Sequence, residues 1–139
     1  MSTDNSISQD ADDRHEKGTA LIKKLFGAYS PSTRPAFVEY SEMTSDYLFG
    51  EVWSRPGLEL QQRSITTLAV LCATGMEKQL KVHIKGALNL GLTPDQIKEV
   101  IIHAAHYSGW PKGMNGLAAL EEVMEEKDLA FANSSEDSS

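Results

Sequence analysis

The histidines are the first side chains in this sequence that could carry acid–base chemistry. The chain has four of them, and His83 lies in the segment QLKVHIKGALNLG. An imidazole titrates near neutral pH, so His83 could act as a general acid or base. Helical spacing also brings Leu80, Ile84 and Ala87 close to it. From spacing alone, these apolar neighbours favour a core or interface histidine that bonds to a backbone carbonyl.

Two arginines could bind a carboxylate through paired guanidinium hydrogen bonds. Arg63 precedes the apolar run at residues 68–73, and Arg55 lies beside Trp53 in the segment FGEVWSRPGL at residues 49–58. A Pro-Gly pair in that segment predicts a turn. Trp53 and Arg55 could form the wall and the anion anchor of a pocket. Alternatively, Trp53 packs a core edge and both arginines form ordinary surface pairs.

His103 and His106 stand three residues apart, and Trp110 follows one turn later. Two histidines at this spacing could hold a metal ion, but the sequence offers no evident third ligand and no HExxH pattern. We therefore predict no metal site, and an interface or a pocket wall for this segment. Cys72, which has apolar helical neighbours, is predicted to be a buried and inert thiol.

The composition limits the class of protein. The 139 residues suit one domain, and their net charge of −7 argues against nucleic acid as a partner. No apolar run has the roughly 20 residues that a membrane span needs, and residues 1–18 have no apolar core of a secretory signal. We therefore expect a cytoplasmic protein. Residues 1–13 and 128–139 are polar and acidic, which predicts disorder at both ends.

Helical periodicity dominates the rest of the chain and predicts an all-α, single-domain bundle of about six helices over residues 14–127. The third helix contains the all-apolar run 68–73 and is expected to be central and buried. Thr93, Pro94 and Gln96 predict a capped helix start, and Gly91 predicts a helix end. The predicted helices run from His15 to Ala28, from Pro35 to the segment at residue 49, from Glu59 to Ala73, from Glu77 to Leu90, from Pro94 to Ser108 and from about Gly113 to Glu126.

Four stretches together resemble the carboxymuconolactone decarboxylase family, within the alkylhydroperoxidase D-like superfamily. They are GEVWSRPGL, QRSITTLAVLCA, QLKVHIKGALNLGLTPDQIKEVI and AAHYSG, and the resemblance extends over roughly residues 39–123. It implies an all-helical fold that assembles into a homo-oligomer, a trimer or a hexamer. It also implies a cofactor-free decarboxylation in aromatic catabolism, the β-ketoadipate pathway, from 4-carboxymuconolactone to β-ketoadipate enol-lactone.

The thiol-dependent branch of the same superfamily uses a Cys-x-x-Cys pair followed by a histidine. If His83 is that histidine, the two cysteine positions hold Met76 and Gln79. Dithiol chemistry needs two thiols within reach of each other. The alkylhydroperoxidase-like alternative is therefore disfavoured, whereas the retained His83 supports an acid–base role.

Together the residues and the resemblance predict a site for a small carboxylated lactone, with no cofactor. His83 and Arg63 are predicted to be catalytic, with Arg55 as an additional anchor for anionic oxygens. Whether His103 and His106 reach the pocket stays open, as do a same-fold biosynthetic enzyme and a non-catalytic ligand-binding module. The predicted substrate-binding residues are Trp53, Arg55, Tyr107, Trp110 and His106.

Overall fold

The computed structural model describes residues 3–132 of the chain. These residues form six α-helices and no β-strand, which confirms the predicted all-α class. No helix in this range is long and apolar enough to cross a membrane. The α-helices are α1 (Thr3–Phe26), α2 (Val38–Met43), α3 (Leu60–Ala73), α4 (Glu77–Asn89), α5 (Pro94–Ser108) and α6 (Trp110–Glu126), with a 3₁₀ turn at Pro35–Phe37 and a π-helical segment at Thr44–Val52.

The chain divides into two compact units, Met1–Glu59 and Leu60–Ser139, where the sequence predicted one domain over residues 14–127. In the first unit, α1 packs against the π-helical segment. In the second, α3, α4, α5 and α6 enclose a hydrophobic core whose buried members all come from residue 68 onwards. Each unit therefore has its own packing, which the periodicity of single helices does not show.

A close backbone crossing holds the first unit together. A Cβ atom at Gly18 would lie 1.7 Å from the carbonyl oxygen of Ser45, and one at Gly50 would lie 2.2 Å from that of Arg14. Only glycine leaves room for two helical backbones to approach this closely. The sequence predicted that the second helix ends at the segment beginning at residue 49. In the structure, the π-helical segment continues to Val52, so helical backbone extends past that residue.

α1 begins at Thr3, whereas the sequence predicted a disordered segment over residues 1–13 and a helix from His15. Polar composition argues against burial, but a helix can continue into solvent when charge pairs support it. Lys17 Nζ lies 3.0 Å from Asp13 Oδ2 along α1. Arg14 Nη1 lies 3.1 Å from Glu51 Oε2, an ion pair that links α1 to the π-helical segment.

The second unit agrees closely with the sequence prediction. Its helices α3, α4 and α5 match the predicted bounds within one residue. The Thr93 hydroxyl accepts from the Gln96 amide at 3.1 Å, and the Gln96 side chain accepts from the Thr93 amide at 2.9 Å, which confirms the capping box. Gly91 follows α4 with φ of 92°, as expected for a helix end.

Three details of the second unit differ from the prediction. α6 begins at Trp110, three residues before the expected start, because Pro111 fits the first turn of a helix. α3 is not buried on all sides, since Val70 is 54% exposed. The predicted disordered tail is in part ordered, because Phe131 packs against the core and Asp95 accepts from the Ala132 amide at 3.1 Å. Residues 133–139 lie outside the described part of the chain.

We expect Gly18→Ala to destabilise the protein by about 1–3 kcal/mol or more, because the added methyl group meets a backbone oxygen that cannot rotate away. Urea denaturation followed by circular dichroism measures the change. Gly57→Ala is the matched control, since a Cβ there has no neighbour within 4 Å. Equal denaturation midpoints for the two variants would contradict the crossing.

Candidate active site

His83 lies on α4 in the second unit and is half-buried. Burial lowers the pKa of its imidazole below the ordinary range for histidine, because the charged form loses hydration. The ring is therefore uncharged at neutral pH. An uncharged imidazole keeps one N–H donor and one acceptor nitrogen, so it can donate a hydrogen bond and also pass on a proton.

Two ion pairs link α4 to α6. Lys85 Nζ lies 2.6 Å from Glu126 Oε2, and Lys81 Nζ contacts Glu122 Oε2 one turn earlier. The bond to Glu122 raises the pKa of Lys81, and the bond to Lys85 lowers the pKa of Glu126. Positions two residues apart differ by about 200° around a helix. His83 therefore lies on the flank of α4 opposite the two lysines.

Arg63 lies on α3, which packs directly against α4. Its side chain is partly buried and its Nε atom is enclosed, while its backbone carbonyl accepts from the Thr67 hydroxyl at 3.0 Å. A partly buried guanidinium binds a carboxylate more strongly than an exposed one, because water competes less for it. Arg63 and His83 are therefore on neighbouring helices of one unit.

Ser64 is a polar residue that the sequence reasoning missed. It is 1% exposed, and its hydroxyl has no hydrogen-bond partner among residues 3–132. Buried polar groups in proteins are usually hydrogen-bonded, so an exception beside Arg63 is a candidate for a functional role. Its spacing of four residues from Leu68, which also faces the core, could have indicated its burial.

Trp53 and Arg55 belong to the first unit. The Trp53 side chain is only 6% exposed and packs against Phe49, with 5.5 Å between the ring centroids. This position fits the alternative that the sequence left open, in which Trp53 packs a core edge. Arg55 is exposed and follows the end of the π-helical segment. The proposed roles of these two residues in a pocket stay predictions.

A cavity of about 290 Å³ lies between α5 and α6. Both His106 and Trp110 line it, their rings packed edge to face with centroids 5.6 Å apart. Neither His83 nor Arg63 is among its lining residues, and neither is His103. We call it the α5–α6 cavity; its lining residues are Ile102, Ala105, His106, Trp110, Gly113, Met114 and Leu117.

His103 and Tyr107 stand outside the α5–α6 cavity. Their rings stack at 5.3 Å, and the Tyr107 side chain is 85% exposed. The open question about the two histidines of α5 is thus answered for this cavity, since His106 reaches it and His103 does not. The role of Tyr107 in substrate binding stays a prediction.

Small residues create the floor of the α5–α6 cavity, and the sequence reasoning did not single them out. A Cβ at Gly113 would lie 2.5 Å from the Cβ of Ala105, so α5 and α6 approach closely at this level. The two helices are joined by Gly109 alone, with φ of 116°. In the sequence, the signal for this site was small residues on both helices, Ala105 and Gly113, with the large Met114 next to Gly113. Small residues allow two helices to approach closely, and a large neighbour leaves a recess beside that contact.

Cys72 is a buried side chain of α3, as predicted. Its Sγ lies 3.6 Å from the carbonyl oxygen of Lys112, and burial raises the pKa of the thiol, which opposes thiolate chemistry. No group of three or more histidine, cysteine, aspartate or glutamate side chains among the described residues is arranged to hold a metal ion.

Residues 39–122 match the model of the carboxymuconolactone decarboxylase family. The chain belongs to this family. The matched carboxymuconolactone decarboxylase range contains both proposed catalytic residues and all five predicted substrate-binding residues. It begins in α2 and ends within α6, so it includes parts of both compact units.

Two relatives of this chain are informative. The 4-carboxymuconolactone decarboxylase of Acinetobacter baylyi is 42% identical over 94 residues, which are 68% of this chain and 69% of that protein. The nitrosuccinic acid decarboxylase npaB of Metarhizium robertsii is 31% identical over 107 residues, which are 77% of this chain and 72% of that protein. Both relatives are named as decarboxylases of carboxylic acids.

We expect the stability of the protein to fall as the pH drops through the ordinary pKa of histidine, about 6.5. The unfolded chain binds the His83 proton at that pKa, whereas the folded chain binds it only at lower pH. In this interval the unfolded state holds more protons, so the free energy of unfolding decreases with acidification. Between about pH 7 and about pH 5, the free energy of unfolding should therefore fall less for His83→Gln than for the wild type.

Urea denaturation at a series of pH values measures this slope. His103→Gln is the control, because His103 is an exposed histidine on α5. Parallel pH profiles for the wild type and His83→Gln would show that burial does not hold His83 in its uncharged form.

Proposed function

We infer that this chain decarboxylates a small carboxylated molecule, and that its substrate is a carboxylated unsaturated lactone such as 4-carboxymuconolactone. The observation that carries this proposal is the 42% identity to the 4-carboxymuconolactone decarboxylase of Acinetobacter baylyi. The product would be β-ketoadipate enol-lactone, as the resemblance in the sequence implies. The half-buried, uncharged His83 provides a group suited to the chemistry.

The reaction needs a place for the electron pair that remains when the carbon–carbon bond to CO₂ breaks. In 4-carboxymuconolactone the pair moves through the ring alkene onto the lactone carbonyl oxygen and forms a dienolate. A proton then adds to the ring carbon next to that carbonyl. The substrate therefore supplies its own electron sink, and the protein must bind the carboxylates, stabilise the dienolate oxygen and deliver one proton.

The second relative supports the same principle with a different substrate. A nitro group bonded to the carbon that loses CO₂ can also accept the electron pair, as it would in nitrosuccinic acid. Both relatives thus act on carboxylic acids that contain an electron-withdrawing group. This supports decarboxylation in general, while the lactone is the part of our proposal that needs a direct test.

Each catalytic residue has a role that suits its surroundings. His83 keeps an N–H donor in its uncharged state, so it can donate to the developing oxygen and relay the proton to carbon. Arg63, partly buried on the adjacent helix, can bind a substrate carboxylate. Arg55 is proposed as a second anchor for anionic oxygens.

The remaining predicted contacts stay predictions. Trp53 is assigned to a wall of the substrate pocket, and Tyr107, Trp110 and His106 to contacts with the flat ring. None of these four contacts is needed for the electron flow described above.

We expect His83→Ala and Arg63→Ala each to lower kcat for 4-carboxymuconolactone by about 10²–10³, because each removes a group that acts on the transition state. Steady-state kinetics with circular dichroism as a folding check measure this. His103→Ala is the control and should retain wild-type kcat, since its side chain is exposed on α5.

Near wild-type turnover by folded His83→Ala and Arg63→Ala would remove both residues from the mechanism. Binding of the lactone without release of CO₂ by the wild type would instead indicate a non-catalytic module. Reductant-dependent consumption of peroxide would indicate the thiol-dependent alternative, which the burial of Cys72 opposes.

Self-association into a homo-oligomer, a trimer or a hexamer, is a further expectation for this chain. Large apolar side chains are more than half exposed in both units, among them Tyr40 at 70%, Met43 at 61% and Val70 at 54%. Exposed apolar surface of this kind is often buried between subunits. Multi-angle light scattering should therefore give a mass of several chains, and a monomer at micromolar concentration would contradict the expectation.

A further inference from the structure

The α5–α6 cavity is a second candidate binding site, because neither His83 nor Arg63 lines it. Its seven lining residues include no lysine, arginine, aspartate or glutamate. Two of its large side chains, Trp110 and Met114, are 66% and 64% exposed, so they have apolar surface that a ligand could cover. The polar atoms that its side chains offer are the nitrogens of His106 and Trp110.

A hydrogen bond fixes which nitrogen of His106 is available. Nδ1 lies 2.8 Å from the carbonyl oxygen of Ile102, one turn earlier on α5. A carbonyl oxygen only accepts, so Nδ1 carries the hydrogen in this bond. In the neutral ring, Nε2 then bears the lone pair and lies on the side of the ring directed away from the carbonyl. It is thus an acceptor for a ligand hydroxyl.

The cavity volume of about 290 Å³ limits the size of the occupant. An engineered apolar cavity of about 150 Å³ in another protein binds benzene, so this one has room for about two rings. A carboxylate would lose part of its hydration here without meeting a lysine or an arginine, which is unfavourable. An uncharged ligand is therefore better suited to the cavity than a carboxylate.

We propose that the α5–α6 cavity binds an uncharged aromatic molecule of about two rings that carries a hydroxyl group. The hydroxyl donates to Nε2 of His106, and the rings lie against Trp110 and Met114. The close contact between Gly113 and Ala105 forms the rigid floor beneath them. Neither His83 nor Arg63 lines this site, and the proposal gives His106 and Trp110 a ligand other than the ring of the decarboxylase substrate, to which the sequence assigned them.

Titration of the full chain with 2-naphthol, naphthalene and 2-naphthoate tests the site. Binding is followed by the methyl resonance of Met114 in protein with labelled methionine. The wild type should bind 2-naphthol roughly three- to tenfold more tightly than naphthalene, the contribution of one hydrogen bond. It should bind 2-naphthoate at least about tenfold more weakly than 2-naphthol, because the carboxylate has no cation partner.

His106→Phe keeps an aromatic ring but removes the acceptor, so it should bind 2-naphthol and naphthalene equally well. His103→Phe is the matched control and should keep the wild-type preference, because His103 does not line the cavity. Equal loss of preference in both variants, or tighter binding of 2-naphthoate, would overturn the proposal. If no probe shifts the methyl resonance of Met114 but dilution of the protein does shift it, a second copy of the chain covers the cavity. That result would also overturn the proposal.

Discussion

Breaking the bond between a carboxyl group and carbon leaves an electron pair, and the placement of that pair is the constraint on which the account of this site depends. The proposed substrate, an unsaturated lactone, would accept the pair within its own ring, so the protein would have only to bind anionic groups, stabilise an oxygen and supply one proton. A half-buried imidazole with a lowered pKa and a partly buried guanidinium on the next helix are suited to these tasks. Their value comes from reduced hydration, which strengthens each polar contact.

The second unit holds these groups through two kinds of interaction. A hydrophobic core fixes the four helices against each other, and Leu80, Ile84 and Ala87 are the members that α4 contributes. The pairs Lys81–Glu122 and Lys85–Glu126 also link α4 to α6. Exposed ion pairs of this type stabilise a protein little, so the core is the main determinant of how α4 presents His83.

Features encoded by neighbouring residues could be predicted from the sequence. The Thr93–Gln96 capping box and the helix end at Gly91 depend on a few adjacent positions, and both are present. Features that depend on distant residues could not be predicted. The Gly18–Ser45 approach and the π-helical segment require knowledge of which helices cross. In the candidate site, residue type and the resemblance indicated His83 and Arg63, whose catalytic roles stay predictions, whereas the recess beside His106 was not predicted.

We propose that the substrate itself supplies the electron sink. Release of CO₂ from 4-carboxymuconolactone and from its analogue with a saturated ring tests this proposal. Both molecules carry the same carboxylates, but only the first can pass the electron pair to its carbonyl oxygen. We predict that the first releases CO₂ and that the second only inhibits competitively. Comparable release of CO₂ from the saturated analogue would contradict the account.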